Sequence, residues 1–170
     1  MAAARVRRWV ALFLVSAALI ALTPSVVASS GPSVRGGGVV DGPPGMTSQL
    51  GFTATSSGGS FLCVMAGRSG GFLFGPWDSI QQMRVQGRVT PGSLTITGGV
   101  ATFRGIATIH VVGTTSSGPL VMTVPDVPFV STQAAGGAGV AWHLLEVSLP
   151  DGVRSFGPEK MKTGRIVIWP

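Results

Sequence analysis

Val100-Ala101-Thr102-Phe103-Arg104-Gly105-Ile106-Ala107-Thr108-Ile109-His110-Val111-Val112 is the stretch that decides the fold. Its odd positions, Ala101, Phe103, Gly105, Ala107, Ile109 and Val111, are all apolar, whereas its even positions mix Val, Thr, Arg, Ile and His. A period of two places those sets on opposite faces of a β-strand, one toward a core and one toward water. Phe103 is therefore expected to point inward, with Arg104 and His110 together on the outer side. Just upstream, Gly98-Gly99 separates this run from Leu94-Thr95-Ile96-Thr97. Glycine supplies the positive φ angles of a tight hairpin, so the two runs should pair. The strand from Gly99 to Val112 is expected to be central and the longest of the fold.

The same signal recurs outward in both directions. Leu50, Phe52 and Ala54 alternate with Gly51, Thr53 and Thr55, and further strand candidates run from 61 to 66, 71 to 74, 80 to 89, 120 to 124, 140 to 149 and 164 to 169. They are rich in Val, Ile, Thr and Phe and are separated by Gly, Pro, Ser or Asp clusters. Ser57-Gly58-Gly59 and Ser69-Gly70-Gly71 read as two more turns. Pro125-Asp126-Val127-Pro128 reads as a crossing loop because proline cannot donate to a ladder. The uncharged segment from Gln133 to Gly139 reads as a mobile loop. The expectation is an all-β chain with a single antiparallel β-sandwich or barrel of about eight to nine strands, residues 47–170.

Ahead of that domain, Arg5, Arg7 and Arg8 precede an apolar run from Trp9 to Leu22 and the small-residue site Val26-Val27-Ala28. This is the pattern of a helical secretory signal peptide, residues 1–28, cleaved near Ala28 by the Sec route. The apolar run is shorter than the roughly 20 residues of a spanning helix, so no stable membrane anchor is expected after cleavage. Residues 29–46, with Gly36-Gly37-Gly38 and Pro43-Pro44, read as a flexible Gly/Pro/Ser-rich lead-in. The product is expected to be secreted or associated with the cell envelope.

Removing Arg5, Arg7 and Arg8 from the twelve basic residues leaves nine against six acids, a net charge of +3. The remaining cations stand singly along the chain, which is not the stripe of a nucleic-acid binder. A modest positive potential would still favour an anionic cell-surface polymer. Cys63, the only cysteine, cannot form an internal disulfide and sits in Phe61-Leu62-Cys63-Val64-Met65, where it is expected to be a small buried hydrophobe. About 140 residues suffice for one core held by burial alone.

The order of these signals resembles the post-COAP class of short secreted bacterial β-domains. The resemblance rests on Gly36-Gly37-Gly38, Gly51-Phe52, Gly99-Val100-Ala101-Thr102-Phe103-Arg104-Gly105, Val124-Pro125-Asp126 and Gly164-Arg165-Ile166-Val167-Ile168. The chain departs from the class at Ala141 and Trp142, where an acid usually follows the glycine loop. What the resemblance implies is an exported module of a class with no established shared activity.

No constellation of catalytic residues emerges. Gly67-Arg68-Ser69-Gly70-Gly71 is similar to the surroundings of a serine-protease nucleophile, but no histidine precedes Ser69, so a glycine-rich turn is the better reading. His110 and His143 each lie within an apolar strand. With Asp126 they would make a metal site only if the fold brought all three together. The six acids, Asp41, Asp78, Asp126, Glu146, Asp151 and Glu159, fall in turns or loops except Glu146, which leaves no evident carboxylate pair for glycoside hydrolysis. No catalytic, cofactor-binding or metal-ligating residue is assigned and no cofactor is expected. The function expected is an exported non-catalytic β-domain that binds a surface, its partner a cell-surface polymer or another exported protein and not a nucleic acid. The alternative is a carrier of a small apolar ligand within a barrel cavity.

Overall fold

The computed structural model describes residues 31–42, 47–66 and 77–170. The expected signal peptide, the turn at Ser69-Gly70-Gly71 and the strand from 71 to 74 lie outside them. Nine strands occur among the described residues: β1 (Ser33–Asp41), β2 (Thr47–Thr55), β3 (Gly58–Ala66), β4 (Ser79–Val89), β5 (Thr95–Thr97), β6 (Val100–Thr115), β7 (Gly118–Ala134), β8 (Trp142–Leu149) and β9 (Gly152–Trp169). Every pairing is antiparallel, and the order β4-β3-β2-β1-β9-β8-β7-β6 returns to β4. The fold is thus a closed eight-stranded barrel, with β5 as an extra strand on β6. Of the two architectures left open by the sequence, the barrel is the one formed.

Closure is strongly staggered. Cross-strand partners followed round the wall from Ala134 pass through Trp142, Lys160, Asp41, Thr47, Ala66, Gln82 and Val112, and return to β7 at Val121. Such a shear requires the strands to tilt against the barrel axis. β4 and β5 share one edge of β6, β4 taking Gly105–Thr114 and β5 taking Val100–Thr102. The first part of β7, Gly118–Pro128, pairs with β6 alone, because β8 takes only Phe129–Ala134.

The inward face of β6 is the one expected. Ala101, Phe103, Gly105, Ala107, Ile109 and Val111 are buried, and Arg104 and His110 are exposed. Inside the barrel, Phe61 and Phe129 stack with centroids 5.0 Å apart, while Phe103 meets Phe129 edge-on at 6.4 Å and lies 5.6 Å from Phe52. Two inward glycines make room for these rings. A Cβ on Gly87 or on Gly105 would come within 2.7 Å of Phe129 Cε1, so neither position accepts a side chain without moving the ring.

Four expectations are corrected. Residues 33–41, read as part of a flexible lead-in, form β1, a wall strand paired on both sides. Pro125-Asp126 is a bulge within β7, since Ala107 faces Val127 and Ile109 faces Val124. Its two residues, set against Thr108 alone, suit the chemistry, for proline is tolerated at bulges and Asp126 takes the left-handed φ of 56° that short polar side chains allow. The segment from Gln133 to Gly139 begins inside β7 and is then pinned to β9 by Gly136 N–H to Ile166 O (3.0 Å) and Gly139 N–H to Met161 O (2.7 Å). Finally, β6 with 16 residues is shorter than β7 with 17 and β9 with 18.

Candidate functional site

Five polar side chains are buried with the apolar core: Ser48, Ser131, Gln133, His143 and Glu159. Strand alternation puts them there, and register groups them. Gln133 on β7 faces His143 on β8, which in turn faces Glu159 on β9. Gln133 donates from Nε2 to Ser131 Oγ, and its Oε1 lies 3.1 Å from His143 Nδ1. An amide oxygen only accepts, so the imidazole carries its proton on Nδ1 and presents a lone pair at Nε2. Burial holds the His143 pKa down at about 3 from its ordinary 6.5, which keeps the ring neutral. Among the described residues Nε2 has no hydrogen-bond partner. The Phe61 ring lies 5.9 Å from the imidazole, and Ser48 Oγ donates to Glu159 Oε1 at 3.1 Å. The interior therefore holds one oriented acceptor, His143 Nε2, beside aromatic surface.

A second locus lies on the outer face of the wall. The widened ladder at the β7 bulge leaves a depression of about 470 Å³ lined by Gln86, Arg88, Ile106, Thr108, His110 and Asp126. Register sets Arg84 opposite His110, and Arg88 opposite Ile106, with Arg104 two residues further along β6. Arg84, Arg88 and Arg104 are exposed, and the described residues show no ion pair to any of them. His110 Nδ1 is 2.9 Å from Thr123 Oγ1. Across the barrel, a depression of about 450 Å³ lies over β9, β1 and β2 between Arg35 and Arg165, where the Arg35 guanidinium sits 4.8 Å from the Trp169 ring.

Of the three residues that a metal site would have united, His110 and Asp126 line the same outer depression, whereas His143 is inside the barrel. No group of three or more His, Cys, Asp or Glu side chains able to hold a metal ion occurs among the described residues. Glu159, expected in a turn or loop, is a buried member of β9. The cations that stand singly along the chain come onto one face here, since Arg84 and Arg88 of β4 and Arg104 of β6 are all exposed on the outer side of the same strand pair. One sequence signal was available for that: Arg84, Gln86 and Arg88 alternate along one strand, and Arg104 and His110 alternate along another. Ser48, Ser131 and Gln133 gave no such signal.

No protein-family model, no curated protein and no solved structure matches the chain.

Proposed function

We propose that this chain is an exported, non-catalytic binding module that docks an anionic polymer of the cell envelope on the outer wall formed by β4 and β6. The observation that carries the reading is that Arg84, Arg88 and Arg104 lie exposed along one face with no ion pair to them among the described residues, Arg88 bordering a depression it shares with Gln86, Thr108, His110 and Asp126. Guanidinium groups suit carboxylate and phosphate oxygens because their planar donors reach two oxygens at once. Export rests on the leader-like residues 1–28.

The test uses secreted protein from culture supernatant, with its N-terminus sequenced, and poly(glycerol phosphate) and polygalacturonate as probes. The N-terminus is expected near Ser29. Binding should weaken steeply between about 20 and 200 mM salt, as screening of exposed charges requires. Arg84→Gln, Arg88→Gln and Arg104→Gln combined should lower affinity at least tenfold with an unchanged melting temperature. Equal affinity of the triple variant and the parent would overturn the reading.

A further inference from the structure

From the depression over β9, β1 and β2, we propose that the wall across the barrel from β4 and β6 carries a separate site, which takes a single sugar ring bearing one carboxylate. This goes beyond the outer-wall reading and does not depend on it.

Register clears side chains from the middle of this face. Arg165 on β9 faces Gly37 on β1, Gly37 faces Gly51 on β2, and Gly51 faces Leu62 on β3. Their chain neighbours Ile166, Leu50, Phe52, Phe61 and Cys63 are buried, so strand alternation turns this row outward. At about 4.8 Å per strand, roughly 14 Å of wall separates Arg165 from Leu62 with only glycine between them. The space above is open, for a Cβ on Gly51 would meet nothing within 4 Å. One row along the same strands stand Val167, Arg35 and Thr53. Together they bound the depression of about 450 Å³, which falls in the range of about 300–1,000 Å³ typical of small-molecule sites.

The charge of this site selects an acid. Arg35 and Arg165 are exposed, neither enters an ion pair among the described residues, and no carboxylate lines the depression. Asp41, the one acid of β1, lies at the far end of the strand and is engaged by Lys162 at 3.1 Å. The Arg35 guanidinium sits over the Trp169 ring, 4.8 Å from its centroid. Contact through the face of a guanidinium restrains the side chain and leaves the N–H donors at its edge free. Arg35 and Arg165 are diagonal neighbours on β1 and β9, so a carboxylate held between them takes donors from both. The floor selects the rest of the guest. Glycine backbone presents a flat surface to the C–H face of a ring, and the exposed Thr53 hydroxyl at its border bonds ring hydroxyls. The outer face of the guest stays in water, which suits a polyhydroxylated ring and opposes an apolar one.

The probes are the methyl glycoside of galacturonate, methyl galactoside, which lacks the carboxylate, and acetate, which lacks the ring. Each is titrated into the ¹⁵N-labelled wild-type protein, and binding is read from the amide resonances of Gly37, Gly51 and Gly164. The uronate is expected to move these resonances and to bind at least tenfold more tightly than either fragment. Arg35→Gln and Arg165→Gln should each weaken the uronate at least about fivefold at the same resonances. Gly51→Leu keeps both arginines but covers the floor, and it should weaken the uronate by as much while leaving acetate unchanged. Should any variant fail to fold, the wild-type titrations still decide. Equal affinities for uronate and acetate overturn the proposal, and so do shifts confined to the amides of β4 and β6, a result that would leave the outer-wall reading standing.

Discussion

Acidification should destabilise this barrel through His143. The folded protein keeps the His143 imidazole neutral, with its pKa lowered by burial from 6.5 to about 3. In the unfolded chain the ring titrates near 6.5, so between those two values the unfolded state binds one proton more than the folded one. Stability from this group is complete above pH 6.5 and is lost as pH falls toward 3. Each pH unit in that window costs about 1.4 kcal/mol, which gives roughly 2 kcal/mol by pH 5 and about 5 kcal/mol by pH 3. Against a total stability of about 5–15 kcal/mol, such a loss would be readily measured. The assay is a series of urea melts from pH 8 to pH 4 on the wild type and on His143→Leu. The variant starts lower, because Gln133 Oε1 loses its donor, but it should lack the histidine slope. Titrating groups far from His143 are common to both proteins and cancel in the difference. If the two midpoints fall in parallel with pH, the reasoning about a buried neutral imidazole is refuted.

Phe103→Ala should cost about 3–5 kcal/mol through lost transfer energy and an unfilled cavity, whereas His110→Ala, exposed and bonded only to Thr123, should change stability by less than about 0.5 kcal/mol. Denaturant midpoints decide, and equal losses would contradict the assignment of faces on β6. Gly87→Val should destabilise by at least about 1–3 kcal/mol, since its side chain would enter the Phe129 ring and come within 2.9 Å of Ile106 O, and calorimetry of the variant tests this. Cys63, wholly buried, should resist a water-soluble thiol reagent in the native protein and react only on unfolding. Labelling of the native protein at the rate of a free thiol would refute that burial.

What the sequence revealed was local. Period two in residues 100–112 sorts β6 correctly, and Gly98-Gly99 marks the turn to β5, because a strand's faces and a tight turn are written in neighbouring residues. β1 was hidden by Gly36-Gly37-Gly38, whose composition suits a linker. Its strand character comes from β2 and β9 pairing along both edges, and from Gly36 lying under the Phe52 ring, where a Cβ would come within 2.7 Å. Closure depends on the pairing of β1 with β9, a contact between opposite ends of the domain that no window of sequence displays. The interior cluster was concealed for the same reason. By sequence Gln133 reads as part of a loop and Glu159 as part of a turn or loop, and only register makes them flank His143. The bulge at Pro125-Asp126 shows the opposite error, in which a true local signal, proline's missing donor, was given too large a consequence.

The half of β7 from Gly118 to Pro128 has β6 on one side and no strand on the other among the described residues. An uncovered run of backbone donors and acceptors is where a second chain would add a strand, and Val121, 68% exposed, would favour it. Pro119, Pro125 and Pro128 occur along this run, each removing a donor, and the bulge between the last two breaks its straightness. The margin is thus open in space but poorly suited to templating, so that crowded copies of the chain would resist joining edge to edge into fibres.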